Sequence, residues 1–481
     1  MSVFRNFTIL FVISLSSIIR GQVTFNRSCD IGNFTSNAAP IVVCSDSSFV
    51  GLSSVYTPTA GGAIFYKYGL NGDTILTKRY WFNGSAVQVG LGDAAVELQD
   101  STILYACGVA DSSGNNFDFF IFRFTLEGDT LFTSRIGTVY DDKPNSITVI
   151  NDSICLIVGY TAEPNGNAGD VSFVVYNYLN NNGVFNVFGL AGNQSIYNAA
   201  LLENGLIVMS GGGSGTASLF LFDNQFNLVW DTVMTGMGSG AYCTSGPNGK
   251  FYTSCTKLGT GNDYDLQVNC FSSSGALLWQ SVFNDAINAC GSSAPLRWNN
   301  ATNHLYVPGF IYSGSFNTEA YVLLLDSSGQ AIYANRNSTP SGNHGYIGDF
   351  KLLGDGLLFY GFEAVNSGDP WLVRTDTAGC LVPGCLTNVS AVMNTADATL
   401  TVFPNPAAQA ITIQLQVEER TVGIVEVYGL SGQVVLRQQV VFEKDGADVT
   451  VNIAELPTGL YSVVVRTGGG APYVKRFVKA E

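Results

Sequence analysis

The sequence predicts an all-β protein, a seven-bladed β-propeller with velcro closure followed by a small Ig-like β-sandwich. Three observations predict this fold. A two-part unit of alternating strands recurs about every fifty residues between residues 38 and 383, a spacing typical of four-stranded propeller blades. No segment with a helical period interrupts the repeats. From residue 398 a different series of about seven short strands begins, as expected of a sandwich.

The first element is a secretory signal peptide. Arg5 precedes an apolar run from Phe7 to Ile19, and the small residue Gly21 precedes Gln22. The run is shorter than the roughly 20 residues that a membrane-spanning helix needs, so an export signal cleaved after Gly21 is favoured over a membrane anchor. We therefore assign residues 1–21 to the signal peptide and expect no membrane insertion.

The propeller repeat, assigned to residues 22–385, has two halves, each a hairpin. A first half is AIFYKYGLNGDTILTKRY from Ala63, and a second half is AAVELQDSTILYACGVAD from Ala94. Seven copies of each half occur, and the turn positions from Gly72 to Gly379 lie 44 to 56 residues apart. The units resemble the loosely conserved propeller repeats common in exported bacterial proteins. Stacked sandwiches, or rings of six or eight blades, are the alternatives.

The ends of the repeat region predict how the ring closes. The region begins with a lone second half, PIVVCSDSSFVGLSS from Pro40, and ends with a lone first half, WLVRTDTAGCLVPG from Trp371. We expect these two pieces to share one sheet, which would leave no exposed sheet edge. Phe122, Trp230, Trp279 and Leu325 are predicted to form core between blades.

Charge and composition exclude several function classes. The chain has 22 Lys and Arg against 37 Asp and Glu, a net charge of −15, which disfavours nucleic acid as a partner. It has two His, which leaves little material for His-based metal sites or acid–base catalysis. No G-x-S-x-G, H-E-x-x-H or P-loop motif occurs. We expect no resident metal or cofactor, and binding is favoured over catalysis.

The ten cysteines of an exported chain can form disulfides. Cys380 and Cys385 enclose LVPG, a Pro-Gly turn that can bring the two sulfurs together, and we predict this pair. Cys107 and Cys155 lie in apolar strand patterns typical of buried thiols. The connectivity of the others stays open.

Acidic residues recur at the start of first-half strands. Equivalent positions of successive blades face one side, so these carboxylates are predicted to ring one mouth of the channel, where they can bind Ca²⁺ or a cationic or polyol ligand. The alternative is that each caps a local turn. His344, in the Gly-rich loop STPSGNHGYIG, is a further candidate for ligand binding. The carboxylates are Asp118, Asp170, Asp265, Glu319 and Asp369.

After a linker at residues 386–397, the region 398–481 carries four short motifs in a fixed order. They are VFPNP from Val402, VYGLSGQ from Val427, LPTGLY from Leu456 and KRFVK from Lys475. This region resembles the type A C-terminal sorting domain of the type IX secretion system of Bacteroidota. One departure is Gly429, where the family usually has Asp or Asn. The resemblance assigns the sorting signal to Pro404, Asn405, Pro406, Tyr428, Gly432, Pro457, Gly459, Tyr461, Lys475 and Lys479.

The resemblance implies a route for the protein. It implies export to the periplasm, recognition of this domain by the type IX translocon, passage across the outer membrane, and release or attachment at the cell surface. An ordinary Ig-like accessory module is the alternative. The propeller would then be the cargo, a secreted or cell-surface binding or adhesion protein for a glycan, peptide or surface protein. The alternatives are a polysaccharide-active enzyme with carboxylates and tyrosines at the channel mouth, and an architectural surface component.

Overall fold

The computed structural model describes residues 23–480 except for seventeen short ranges. Its described part is built of β-strands with a single 3-10 turn at Pro247–Gly249, and within it no helix has the length and apolar character to cross a membrane. The predicted signal peptide lies outside the described residues. The ranges left out are 30–34, 58–59, 84, 112–115, 163–168, 189–193, 214, 260–263, 284–288, 314–316, 343, 364–367, 382–399, 416–419, 430–433, 445–447 and 468–472.

Strands from the first part of the chain form antiparallel meanders, each a separate sheet. The short strand β1 (Phe25–Ser28) comes first. Sheet 1 contains β2 (Thr35–Val43), β3 (Phe49–Tyr56), β4 (Ala60–Tyr68) and β5 (Thr74–Asn83). Sheet 2 contains β6 (Val87–Val89), β7 (Ala95–Glu97), β8 (Ile103–Ala110), β9 (Phe117–Phe124) and β10 (Thr130–Ile136). Sheet 3 contains β11 (Asp142–Val149), β12 (Ile154–Ala162), β13 (Gly169–Asn177) and β14 (Asn182–Phe188).

The same meander continues through four more sheets. Sheet 4 contains β15 (Ser195–Leu201), β16 (Ile207–Gly212), β17 (Thr216–Phe222) and β18 (Leu228–Thr235). Sheet 5 contains β19 (Tyr242–Ser245), β20 (Phe251–Leu258), β21 (Tyr264–Phe271) and β22 (Leu277–Phe283). Sheet 6 contains β23 (Cys290–Ser292), β24 (Arg297–Asn299), β25 (His304–Ser313), β26 (Asn317–Asp326) and β27 (Ala331–Asn337). Sheet 7 contains β28 (Gly345–Leu352), β29 (Leu357–Glu363), β30 (Asp369–Thr375) and the distant β1.

These seven sheets form a closed ring. The first strand of each sheet, which we call its inner strand, lies at one edge; it is split in two in sheets 2 and 6. The inner strand β2 contacts β6 and β7 on one side and β28 and β29 on the other. Each of the seven junctions between neighbouring sheets holds its own buried hydrophobic cluster. This is a β-propeller, and the described residues contain seven of its sheets.

The residues predicted to lie between blades do so. Phe122 and Leu325 are buried in two of the junction clusters, and Trp230 and Trp279 pack against two. Outer strands such as β18 alternate exposed and half-buried residues, whereas β16 and β17 are buried almost throughout. The period-2 pattern is therefore clearest in the strands with one face in solvent.

The ring closes differently from the sequence prediction, which was wrong about the pieces that pair. The hairpin that includes Pro40, β2 and β3, pairs with β4 and β5 in sheet 1. Strand β30 instead pairs with β1, so that Phe25 lies opposite Arg374 and Ser28 opposite Trp371. The boundaries of the predicted blades were therefore displaced by one hairpin along the chain. Alternation identifies hairpins, but it does not show which hairpins share a sheet. A velcro closure is present, and a four-residue strand makes it.

Outer-strand aromatic residues cover turn glycines of the next sheet, and we call these contacts the outer clamps. Trp279 of β22 lies over Gly329, in the turn between β26 and β27, where an added Cβ would come within 2.7 Å of the indole ring. The Nε1 of Trp279 also donates a hydrogen bond to the Ser327 carbonyl at 3.2 Å. Gly329 has φ +83°, a conformation that residues with a Cβ resist.

The closing strand repeats this clamp. Phe25 of β1 lies over Gly72, in the turn between β4 and β5, and an added Cβ there would come within 2.7 Å of the ring. Arg27, two residues along β1, forms an ion pair with Asp73 at 3.0 Å. The junction between sheets 7 and 1 is therefore held by the same kind of contact as the junction between sheets 5 and 6.

The C-terminal region forms two sheets of its own. Its strands are β31 (Leu400–Phe403), β32 (Ala410–Leu415), β33 (Thr421–Tyr428), β34 (Val434–Phe442), β35 (Val449–Asn452), β36 (Gly459–Thr467) and β37 (Tyr473–Lys479). One sheet has the order β31–β32–β35 and the other β34–β33–β36–β37. Ile411 from the first sheet and Val425, Phe442 and Val463 from the second are fully buried in one core. The arrangement is that of the predicted sandwich.

Most cysteines are reduced thiols inside the propeller. Among the described residues eight are free, and all of these but Cys29 are buried. Cys107 and Cys155 are buried thiols, as the apolar strand pattern predicted, and burial raises the pKa of Cys155 to about 12. Cys385 lies outside the described residues, so the Cys380–Cys385 disulfide stays a prediction. The boundaries of the linker at residues 386–397 also fall outside them.

Candidate functional site

A cavity of about 600 Å³ lies on the ring axis, because its wall is built by the inner strands and their turns. All seven sheets contribute to it. Its volume lies within the range of roughly 300–1,000 Å³ that is usual for small-ligand pockets. One lining residue from each sheet, in order, is Val42, Glu97, Ile147, Glu203, Ser245, Trp298 and Lys351.

Most of the residues that line the cavity lie where the inner strands end. Val43, Ser245 and Leu352 are the last residues of β2, β19 and β28, and Glu203 lies in the turn between β15 and β16. We call this the turn end of the ring, because the turns from the first to the second strand of each sheet lie there. Ligand-binding residues on such turns are held by a rigid scaffold.

Four charged side chains, which we call the charged quartet, lie in and beneath the cavity wall. They are Asp93, Arg297, Asp349 and Lys351. Arg297 Nη2 lies 2.6 Å from Asp93 Oδ1 and 3.4 Å from Asp349 Oδ1. Lys351 Nζ lies 2.9 Å from Asp349 Oδ2 and also pairs with Asp93. Two acids and two bases make the quartet neutral.

The quartet joins sheets on both sides of the junction between sheets 7 and 1, where the ring closes. Asp93 belongs to sheet 2, Arg297 to sheet 6, and Asp349 and Lys351 to sheet 7. The Asp349 side chain has no exposed surface, and its Oδ2 accepts a hydrogen bond from the Ile41 amide of sheet 1 at 3.0 Å. Breaking such a buried network by removing one partner is costly, because the remaining charges stay buried.

Attraction between opposite charges shifts the pKa values of two members of the quartet, Asp93 and Arg297. Burial alone would raise the pKa of Asp93, but the charges of Arg297 and Lys351 outweigh it and hold that pKa well below its usual range. Burial would likewise lower the pKa of Arg297, and Asp93 and Asp349 raise it instead. Asp93 and Arg297 therefore each favour the charged form.

Two further acids line the cavity outside the quartet. Both carboxylate oxygens of Glu97 accept hydrogen bonds from Ser45, at 2.7 Å from its amide and 2.6 Å from its hydroxyl. Glu203 Oε2 accepts one from the Gly249 amide at 3.2 Å. Neither glutamate forms an ion pair with a described residue. Since the quartet is neutral, these two acids make the cavity negative.

The five carboxylates predicted from the repeats lie at the opposite end of the ring. Each is at or near the start of the third main strand of its sheet, which runs parallel to the inner strand in the meander. Their positions in the strands put them at one end of the ring, but two strands separate them from the axis and they lie away from the cavity. Whether they bind a ligand there stays a prediction. They are Asp118 in β9, Asp170 in β13, Asp265 in β21, Glu319 in β26 and Asp369 in β30.

Several of these predicted residues make local contacts. Asp118 forms an ion pair with Arg135 of the neighbouring strand β10. The Ser338 hydroxyl donates a hydrogen bond to Glu319 Oε1 at 3.2 Å, and the Thr318 amide donates one to His344 Nδ1 at 3.1 Å. In the described ranges no group of three or more His, Cys, Asp or Glu side chains could hold a metal ion. Ca²⁺ binding stays a prediction.

Sequence reasoning missed the quartet and the glutamate pair because these residues do not recur from one repeat to the next. Asp93 lies between β6 and β7, and Arg297 lies in β24, where the inner strand is split. A signal was present nonetheless: Arg297 and Lys351 are cations next to apolar inner-strand residues in a chain with 22 Lys and Arg.

In the C-terminal domain, three of the four motifs meet at the last strand, β37. Asn405 Oδ1 accepts a hydrogen bond from the Val478 amide at 2.8 Å. The Tyr461 ring stacks on Phe477 with centroids 5.6 Å apart, and its hydroxyl donates to the Pro457 carbonyl at 2.8 Å. Pro404 and Pro406 flank Asn405 in the turn after β31, and Gly459 begins β36. The motifs therefore hold the C-terminal strand in place.

The other motif residues lie apart from this contact. The Tyr428 hydroxyl donates to Glu426 Oε2 at 2.9 Å. Lys475 is exposed on β37, and Lys479 Nζ donates to the Ala480 carbonyl at 2.6 Å. Gly432 falls outside the described residues.

The chain is similar at low sequence identity to solved structures, two of which are named as propellers. The propeller of Dos1 is 10% identical, with 73% of this chain and 93% of that chain covered and a TM-score of 0.45. The β-propeller domain of the Trilobed protease from Pyrococcus furiosus is 8% identical, with 71% and 95% covered and a TM-score of 0.42. Polysaccharide lyase Uly1 is 11% identical, with 76% and 94% covered and a TM-score of 0.43. No curated protein matches the sequence significantly.

The C-terminal domain has a family match. Residues 401–480 match the family model described as a secretion system C-terminal sorting domain. The match spans all four motifs and the seven strands of the sandwich, except for Leu400. It implies recognition by the type IX secretion machinery and, through it, export to the medium or the cell surface. Residues 401–480 are therefore a type IX secretion C-terminal sorting domain, carried behind a β-propeller.

Proposed function

We propose that this protein is a secreted or cell-surface binding protein whose ligand enters the axial cavity at the turn end of the ring. The observation that carries the proposal is the cavity itself, about 600 Å³ in volume and built by all seven sheets. Residues on strand ends and short turns hold their positions without ligand, so little ordering entropy is lost on binding.

The composition of the wall supports binding. Charged and polar groups from Glu97, Glu203 and Ser245 share the wall with apolar side chains, as is usual in ligand pockets. The described lining contains carboxylates but no tyrosine, so it supports binding better than the carboxylate–tyrosine enzyme considered from the sequence.

The sorting domain supplies the location in this proposal. The propeller is the cargo, displayed on the outer surface or released. Removing residues 398–481 should leave the propeller in the periplasm, as detected by fractionation and immunoblotting. Normal surface or medium levels of that truncated chain would contradict the role of the domain in sorting.

A cavity-blocking variant tests the site. The chain from residue 22 onward is screened on glycan and peptide arrays, and every hit is measured again with Ser245→Trp, which places an indole in the cavity. The matched control is Ser274→Trp, an exposed turn position of the same sheet. We expect hits to bind wild type and Ser274→Trp equally and to lose binding to Ser245→Trp.

Two outcomes contradict this proposal. One is that every array ligand binds Ser245→Trp as tightly as it binds wild type. The other is that a ligand is converted to product during the assay, which would assign the protein to enzymes.

A further inference from the structure

We infer that the ligand of the axial cavity is a basic peptide segment, which inserts a lysine or arginine side chain between Glu97 and Glu203. This inference rests on the proposed function and specifies its ligand. It follows from the charge of the cavity, the character of its wall and the ring of Trp298.

The charge of the cavity selects a cation. The bases Arg297 and Lys351 are matched by Asp93 and Asp349 within the charged quartet. Both cations that line the cavity are therefore already paired. An anionic ligand would have to compete with Asp93 and Asp349 for these two cations. Among the described residues, Glu97 and Glu203 accept hydrogen bonds from neutral donors and form no ion pair, so their charge is available to an incoming cation.

The wall of the cavity selects a cation on an apolar stem. Val42, Val43, Val96, Ile147 and Leu352 line the space together with the two glutamates. Lysine and arginine bury their hydrocarbon stems against apolar surface and keep the charged group among polar partners. A hydroxyl group of an amino sugar that faced these apolar side chains would be left without a partner there.

Trp298 adds a second recognition element. Trp298 is one of the residues that line the cavity, and its indole is stacked on Tyr252, with ring centroids 5.1 Å apart and an angle of 12° between the planes. Its Nε1 donates to Asn300 Oδ1 at 2.8 Å, which further limits ring motion. A fixed indole face attracts ammonium and guanidinium groups, and tryptophan does so best among the aromatic residues.

The charge of the whole chain acts in the same direction. With a formal net charge of −15, the protein attracts basic segments and repels acidic ones at long range. This attraction speeds encounter and weakens as salt rises.

The test uses three probes of known chemistry. Pentalysine, pentalysine acetylated on every Nε, and a glucosamine pentamer are titrated by calorimetry into the chain from residue 22 onward, at low and at physiological salt. The variants are Glu97→Gln with Glu203→Gln, and a charge-matched control, Asp231→Asn with Asp448→Asn, at exposed positions away from the cavity.

We expect pentalysine to bind and the acetylated peptide not to bind. The double glutamine variant should bind pentalysine about tenfold more weakly, the size expected for losing two partly exposed charge contacts, and the control should match wild type. Absence of pentalysine binding, equal loss in the control, or stronger binding of the glucosamine pentamer would each overturn the inference.

The variants also separate this inference from the proposed function. If ligands bind, Ser245→Trp blocks them and the double glutamine variant does not, then the cavity is the site and the cationic ligand is wrong. If Ser245→Trp blocks nothing, the proposed function itself fails.

Discussion

The ring is held together differently near its axis and at its periphery. At the periphery, aromatic side chains such as Trp279 and Phe25 cover turn glycines of the next sheet. Near the axis, the charged quartet joins sheets 2, 6 and 7, and Asp349 also binds sheet 1. The outer clamps recur at several junctions, whereas the quartet occurs once, beside the junction that β1 closes.

This difference shows how a repeat protein can keep its scaffold and acquire an individual site. Contacts that every blade needs recur with the repeat and can be stabilised by similar residues. A wall shared by all seven sheets can combine residues that occur in one blade alone, such as Asp93 and Arg297. The periphery therefore specifies the fold, and the axis carries what is particular to this chain.

Among the changes considered, removal of the closing strand β1 should have the largest effect on the stability of the ring. A chain that starts at residue 29 lacks β1, which exposes the edge of β30 and uncovers Gly72. We expect the propeller to lose its cooperative thermal unfolding transition or to aggregate, because an unpaired strand edge is left. Calorimetry against the chain from residue 22 measures this. Identical transitions in both chains would show that β1 does not close the ring.

The quartet should give the next largest effect. Asp349→Ala leaves Arg297 and Lys351 sharing one carboxylate, and we expect a loss of about 3–5 kcal/mol in the free energy of unfolding. Asp129→Ala is the control, because this turn residue of sheet 2 pairs with the partly exposed Lys78 from an exposed position. Its loss should stay below about 1 kcal/mol. Equal losses in denaturant titrations would mean that the axis contributes no more than a surface ion pair.

An outer clamp should matter less than the quartet. Trp279→Ala removes a half-buried indole from one junction, and we expect a loss of about 2 kcal/mol, below the cost of deleting a fully buried aromatic ring. Leu278→Ala, at an exposed position of the same strand, should change the free energy of unfolding by less than about 0.5 kcal/mol. The idea of a clamp is wrong if the two variants are equally stable.

Lowering the pH should weaken the charged quartet near the axis before it weakens the aromatic contacts at the periphery. Because the folded pKa of Asp93 is lowered, its stabilisation is complete above the unfolded pKa of about 3.9 and is lost as pH falls below that value. Between pH 5 and pH 3 the free energy of unfolding should fall more steeply in wild type than in Asp93→Asn. Parallel pH profiles from denaturant titrations would contradict the assignment.

The smallest effect is expected at the end opposite the cavity. Asp118→Asn breaks a partly exposed pair with Arg135, and the cost should be below about 1 kcal/mol. Binding of any array ligand should not change, since Asp118 lies away from the cavity. A loss of affinity comparable to that of Ser245→Trp would restore the predicted carboxylate ring as the site.

The sequence predicted most of the fold, because hairpins with one face in solvent alternate visibly and recur. It did not predict that β30, the last strand of the propeller, pairs with β1. Strand β1 has four residues and does not belong to a hairpin, so it leaves no alternating pattern. The order of hairpins within a sheet depends on contacts between distant residues, such as Phe25 with Gly72. Periodicity does not encode these contacts.

The candidate site was predicted poorly for the same reason. Asp118 and its equivalents were selected because they recur, and recurrence favours residues with a role in every blade. Asp93, Glu97 and Glu203 do not recur, and only the ring brings them to one cavity. The sorting domain was the reverse case, because its motifs are local in sequence and Asn405, Tyr461 and Phe477 meet around one strand.

Hydrogen–deuterium exchange with the tightest array ligand bound tests the central claim most directly. We predict protection in the turn-end segments, around Glu97, Glu203 and Ser245, and unchanged exchange at the starts of β9 and β30. Protection confined to those strand starts, with none in the turn-end segments, would place the ligand at the other end of the ring and contradict the account.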